Sequence, residues 1–393
     1  GVYHNTVNTI IQNSHITKAH PVVNYILMFV VAMVMGFFIK QMDAKNSLIT
    51  IGSSFVGINI VIFALFMFLN LWIDQLGIVL ALLLPSISIA SVKFLTEEQE
   101  KKFIKGAFSR YLSPGVIDKI IKNPESLSLG GENKHITLFF SDVAKFSTIS
   151  EMLTASELVH LLNEYLSEMT DIILKYQGTV DKFEGDAIMA FYGAPHPDPD
   201  HATNACLAAV EMSNRLADMR QVWKKQKKNE LYVRMGMNTG QCVVGNMGSY
   251  TRMDYTAMGD TVNLASRLEG VNKQYNTEMI ISEATYAEAK DHIEARRLDV
   301  VRVVGKEEPI SIYELIAKKN GLSDMQADML ETYHNALDEF QKRQWKKAKN
   351  LFKQSLKIKP DDGPSETYIK RCDEFMKKPP SKNWDGVYRF KTK

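Results

Sequence analysis

Three apolar runs open the chain, over 21–39, 46–73 and 75–92, with almost no charge inside them. Each is about the length, roughly 17–25 residues, that crosses a bilayer core as a helix. Buried helices of a water-soluble protein usually keep a polar face, whereas here only isolated Asn24, Asn59 and Asn70 interrupt the runs. Pro85 predicts a kink in the third span. Beyond it Phe103, Ile104, Ala107, Phe108 and Tyr111 recur at helical spacing, which predicts an amphipathic helix continuous with that span. Its stripe packs either on its own domain or on a second copy, and one or two heptads are too few to distinguish these. A new helix is predicted from Pro114 with Ser113 as its N-cap, and Gly130–Gly131 is read as the break before the next domain.

From Lys134 onward strand and helix patterns alternate. "HITLFFSD" reads as a buried strand ending at Asp142, 149–176 as a helix, and "GTVDKF" with "DAIMAFYG" as a hairpin about Glu184–Gly185. A helix over about 202–223 and the strands "LYVRMGMNTG" and "CVVGNMG" follow. The order β, helix, ββ, helix, β predicts an α+β, ferredoxin-like sandwich, an antiparallel sheet with helices on one face.

Charge then orients the apolar part. Lys40 and Lys45 follow the first span, and Lys93, Lys101, Lys102, Lys105 and Arg110 follow the third, while the loop at Asp74 carries no cation. The positive-inside tendency puts the N-terminus outside and everything after Val92 in the cytoplasm. Over the 393 residues Lys+Arg 47 against Asp+Glu 45 leaves a formal charge of +2, no electrostatic footprint for nucleic acid. Cys206, Cys242 and Cys372 have neither the spacing of a zinc site nor the even count of a disulfide framework.

Candidate chemistry gathers between Lys134 and Leu315. Asp142 ends one predicted strand and Asp186 opens the far arm of the hairpin, so adjacent strands bring both carboxylates to one sheet edge. There they either hold a hard divalent cation or serve as ordinary caps and ion-pair partners. Lys182 precedes Asp186 by four residues on the opposite arm, where an exposed lysine is the plain reading. Asn263 and Arg267, at i and i+4, share one helical face. That face offers phosphate a fixed guanidinium fork and a neutral partner, or it is merely solvated above a core stripe of Val262, Leu264, Ala265 and Leu268.

"FFSDVAKFSTISE", "VDKFEGDAIMAFYGAP", "GMNTGQCVVGNMGS" and "DYTAMGDTVNLASRLE" resemble, in order and spacing, the class III nucleotidyl cyclase catalytic domain. The resemblance covers about 134–317. It implies that Asp142 and Asp186, with the Val143 carbonyl, hold two Mg2+ or Mn2+ ions, and that Phe146 and Ser147 belong to the substrate-binding set. It further implies that Lys182 and Thr256 read the purine, that Asn263 and Arg267 act on the ribose and the developing phosphate charge, and that Lys306 meets the triphosphate. The ribose 3'-hydroxyl, acidified by metal, attacks the α-phosphorus and expels pyrophosphate in such enzymes. Adenine N1 accepts from an ammonium, whereas guanine presents an N1–H. Guanylyl cyclases of the family typically carry Glu at the lysine position, so Lys182 with Thr256 implies ATP as substrate and cyclic AMP as product.

The same resemblance implies a head-to-tail homodimer with two equivalent interface sites, and the Lys/Thr pair implies the subclass stimulated by bicarbonate. Lys145 departs from the glycine common after the first acid. A guanylyl cyclase is opposed by Lys182, a diguanylate cyclase by "FEGDAI", and a silent receptor or scaffold by the intact metal acids and arginine. Residues 1–20 resemble the end of a CHASE-type extracytoplasmic sensor, and the chain's start without methionine suggests that an outer segment precedes it. The remaining layout is three transmembrane helices (21–93) in a bacterial cell membrane, linker helices (94–133), the catalytic domain (134–318), a hairpin resembling one tetratricopeptide unit (325–376), and a tail (377–393). Trp384 and Tyr388 of the tail are expected to pack on the hairpin.

Overall fold

The computed structural model describes residues 16–108, 114–122, 128–302, 308–381 and 384–389. The chain divides into two compact units, Gly1–Arg110 and Tyr111–Lys393. Residues 1–15 of the sensor-like start, Ser113 and Lys306 lie outside the described residues.

The first unit contains β1 (Thr17–Lys18), α1 (Pro21–Gln41), α2 (Ala44–Leu69), β2 (Leu71–Trp72) and α3 (Gln75–Phe108). His20 caps α1, its Nδ1 accepting from the Val22 amide at 3.4 Å, and Pro21 opens the helix, where a missing N–H costs nothing. The second apolar run is not one helix to Ile73. Asn70 adopts the left-handed conformation (φ 50°, ψ 30°), closes α2 and releases β2 to pair with β1 in parallel. Helix α3 runs through Pro85 and on to Phe108, so the linker is continuous with the third span as its periodicity predicted. Three helices, Pro21–Gln41, Lys45–Leu69 and Gln75–Thr96, are long and apolar enough to cross a membrane. They turn Phe29, Phe63 and Phe68 outward.

The second unit begins with α4 (Pro114–Lys122) and is built around β3 (Gly130–Val143), α5 (Phe146–Met152), α6 (Ala155–Lys175), β4 (Thr179–Glu184), β5 (Ala187–Tyr192) and α7 (His201–Lys225). It continues with β6 (Val233–Ser249), β7 (Arg252–Met258), α8 (Asp260–Tyr275), β8 (Met279–Ser282), α9 (Glu283–Ala289), β9 (Ile293–Arg302) and β10 (Ile310–Lys318). Helices α10 (Asp324–Gln341), α11 (Trp345–Ile358) and α12 (Gly363–Lys377) follow, and β11 (Tyr388–Arg389) comes last. The strands form one sheet in the order β11-β9-β10-β8-β6-β3-β5-β4, with β7 on β6.

Several sequence expectations change here. The sheet is mixed, because β8 lies parallel to β6 and a parallel neighbour needs a crossover connection. Helix α8 is that crossover and covers the second face, so helices sit on both faces and not on one. Its approach is close enough that a Cβ on Gly236 would stand 2.1 Å from the Glu269 nitrogen. Gly130–Gly131 does not break the chain but starts β3, since a Cβ on facing Gly245 would meet the Gly130 carbonyl oxygen at 2.1 Å. The two strands predicted on either side of Gln241 are one, β6. The long helix predicted over 149–176 divides at Thr154, which caps α6 through reciprocal bonds with Glu157.

The predicted C-terminal hairpin is instead three helices. Asp362 caps α12 by accepting from the Ser365 amide at 3.1 Å, and Pro364 stands in the first turn. These helices pack on α8, β9 and β10 of their own chain. Trp384 joins Phe340, Trp345 and Phe375 as expected.

Among its described residues the second unit has three apolar cores, each holding one buried cysteine. Cys206 lies in the core under α6 and α7, Cys242 in the core between the sheet and the start of α8, and Cys372 among the C-terminal helices.

Candidate active site

Strand β3 pairs with β5 on one side and β6 on the other, with Ser141 opposite Ile188 and Asp142 opposite Arg234. Strands β4 and β5 are joined by Gly185 and Asp186, and Glu184 faces Ala187 across the turn. Gly185 has φ +69°, the sign that the first central position of so tight a hairpin requires. This turn brings Asp186 to the end of β3, where its Oδ2 accepts the Val143 amide at 3.1 Å. Both acids predicted from sequence therefore share one sheet edge with the Val143 backbone between them.

The edge is short of positive charge. Arg234 Nη2 donates to Asp142 Oδ2 at 3.0 Å and its Nε to Glu269 Oε1 at 3.0 Å, so one guanidinium serves two carboxylates. Burial, then the charge of Asp142, pushes the Asp186 carboxyl up to about 6. Burial and Asp142 likewise raise Glu269, against the pull of Arg234. The donor set of carboxylate oxygens and a main-chain carbonyl fits hard Mg2+ or Mn2+.

A second group lies at the β4–β7 contact. The β4–β5 register slips between Val180 and Lys182, turning Asp181 inward until its side chain is fully buried. Thr256, on β7 opposite Gly245, donates its hydroxyl to Asp181 Oδ2, and Lys182 Nζ stands 3.4 Å from Oδ1. Burial raises the Asp181 carboxyl, while Thr256, Lys182 and the Ala257 amide oppose the rise. Lys182 and Thr256, predicted to act together, are thus joined through Asp181.

Asn263 and Arg267 are on the outer side of α8, with Leu264, Ala265 and Leu268 turned to the sheet. Among the described residues no hydrogen bond or ion pair connects either side chain with Asp142 or Asp186. Phe146 packs against the core at the start of α5, and Ser147 is exposed. Lys145 takes φ 59° and ψ 32°, the left-handed region where glycine is at ease, and its carbonyl accepts the Thr148 amide at 3.1 Å. Sequence reasoning missed Arg234, Glu269 and Asp181. Cross-strand pairing to Asp142 was the signal for the first, and alternation broken by a charged residue before Lys182 was the signal for the last.

Residues 131–317 match the adenylate and guanylate cyclase catalytic domain. Adenylate cyclase 1 of Rhizobium meliloti is 34% identical over 220 residues, 56% of this chain and 33% of that protein. The terminal-differentiation adenylate cyclase of Dictyostelium discoideum is 32% identical over 70% of this chain and 13% of its own length. The chain thus spans a third or less of these two relatives. Among solved structures, the adenylyl cyclase CyaB of P. aeruginosa is 42% identical, with a TM-score of 0.46, over 50% of this chain and 100% of that one.

Proposed function

The chain carries a class III adenylyl/guanylyl cyclase catalytic domain, and on that premise we propose that it is a membrane-anchored adenylate cyclase that converts ATP to cyclic AMP and pyrophosphate. The observation that carries the choice of ATP is the bond from Thr256 to Asp181. A carboxylate only accepts, so the Thr256 hydroxyl spends its proton on Asp181 and turns lone pairs to the ligand. Lys182, held beside the same carboxylate, only donates. A base facing this pair needs an amino donor beside a ring-nitrogen acceptor, which is the Watson–Crick edge of adenine. Guanine offers O6 and N1–H there, the reverse at both points.

Asp142, Asp186 and the Val143 carbonyl would hold the divalent ions. These supply charge to the triphosphate and acidify the ribose 3'-hydroxyl when bound. Within that frame the chain's own groups have distinct tasks. Arg234 bridges Asp142 to Glu269 and fixes the carboxylate's direction. Arg267 supplies a fork for the charge that grows at the α-phosphate, and Asn263 orients the ribose. Because neither side chain bonds its own acids among the described residues, the reading includes a head-to-tail homodimer in which α8 of one copy faces the acid edge of the other. The three apolar helices anchor the enzyme, with the cation-rich ends of α1 and α3 and the catalytic domain in the cytoplasm.

The test offers ATP or GTP, with Mg2+ or Mn2+, to membranes carrying the chain and, in parallel, the Lys182→Glu variant. Cyclic AMP from ATP alone, lost in the variant, is the expected result. Cyclic GMP as the main product, or no cyclic nucleotide from either substrate with either metal, overturns the proposal.

A further inference from the structure

On the face of the sheet covered by α7 and α9, three ligating side chains converge from three elements. His135 lies on β3 seven residues before Asp142, roughly 23 Å away at about 3.3 Å per residue, and on the opposite face of the strand. His201 is the first residue of α7 and Glu288 lies in α9. One ligand atom from each lies within 4.8 Å of the others. His135 Nε2 is 2.7 Å from Glu288 Oε1, and His201 Nε2 is 3.8 Å from Oε2, too far for a hydrogen bond. We propose that His135, His201 and Glu288 bind a zinc-class divalent cation, separate from the ions of the catalytic edge, with the fourth position open to water.

The surroundings have the order that such a site needs. His201 Nδ1 is 2.8 Å from the Thr137 hydroxyl, which continues through Thr239 at 2.8 Å and Thr285 at 3.0 Å to Ser282 at 3.1 Å. All four hydroxyl residues are buried. A relay that takes the Nδ1 proton leaves the Nε2 lone pair facing Glu288, as the outer-shell partner of a ligating histidine does. Burial lowers the His201 imidazole below its usual value, while Glu288, Asp198 and Asp200 pull the other way and add negative field. Two imidazoles and one carboxylate suit zinc, cobalt or copper better than magnesium. The ion would clasp the start of the central strand to the N-terminus of α7 and to α9.

The experiment titrates Co2+ and then Zn2+ into the full-length, tag-free chain in detergent after chelation. One Co2+ per chain with the strong visible absorption of a low-coordinate site, displaced by equimolar Zn2+, is expected. The absorption should be lost in both His135→Asn and Glu288→Gln and kept in the Asp142→Asn/Asp186→Asn double variant. Zinc-edge X-ray absorption of the unsubstituted chain gives a reading that needs no variant: two imidazoles and oxygen at about 2.0–2.1 Å, with no sulfur. No such absorption in the unsubstituted chain, its persistence in either single variant, or sulfur in the zinc shell overturns the assignment.

Discussion

Two clusters of arginine and carboxylate sit on the same face of the sheet and behave oppositely. Under the C-terminal helices, Arg296 of β9 is bidentate to Asp362, at 2.6 and 3.1 Å, and pairs with Glu314, with 1% of its side chain exposed. Arg371 of α12 meets Asp299 and donates to the Tyr275 hydroxyl at 3.1 Å, joining α12 to the last residue of α8. Burial works to raise Asp362, yet Arg296 and the Ser365 hydrogen bonds hold it below its usual value. Both arginines there are paired with acids of their own chain. At the acid edge, by contrast, Arg234 bonds Asp142 and Glu269 but not Asp186, which remains raised. The first arrangement closes a structure; the second leaves charge for a ligand to complete.

The comparison breaks most sharply at Arg296. Its replacement by Met strands buried Asp362 and half-buried Glu314 and should cost about 3–5 kcal/mol, read as a lower denaturant midpoint. Arg267→Ala should leave that midpoint unchanged while lowering turnover by roughly 10²–10³-fold in a cyclic-nucleotide assay. Asp181→Ala sharpens the contrast further, since it removes the acceptor of the Thr256 hydroxyl. The preference for ATP over GTP in kcat/KM should fall by about tenfold, the worth of one hydrogen bond.

A further effect is in pH. An acid raised from 3.8 to about 6 in the folded chain stabilises it fully below pH 4 and loses that contribution as pH climbs through 6. In chelator the thermal midpoint should therefore include a decline across this window that Asp186→Asn removes. A decline of equal size in the variant assigns it to other groups.

How far the sequence could be read follows the same division. Asp142, Asp186, Lys182, Asn263 and Arg267 could be singled out from their spacing relative to turns and helix periods, whereas Thr256 came only from the family resemblance. Arg234 and Glu269 could not, since their link to Asp142 depends on β3–β6 register and on α8 crossing Gly236. The second helical face was hidden for a related reason: nothing in local pattern says that β8 returns parallel to β6. The third C-terminal helix was not separated because the resemblance to one tetratricopeptide unit assigned 325–376 to a single hairpin, although Asp362 and Pro364 stand where a helix starts.

The three thiols offer a further use of the architecture. Cys206, Cys242 and Cys372 are each sealed in a different core, and burial raises all three, the second to about 11. A thiol reagent added to the native protein is thus a clock with three hands. Alkylation of Cys372 ahead of the others times the release of the C-terminal helices, of Cys242 the lifting of α8, and of Cys206 the opening of the α6–α7 layer. Peptide mass mapping of partly labelled chains would rank the local stabilities of three layers without altering a residue.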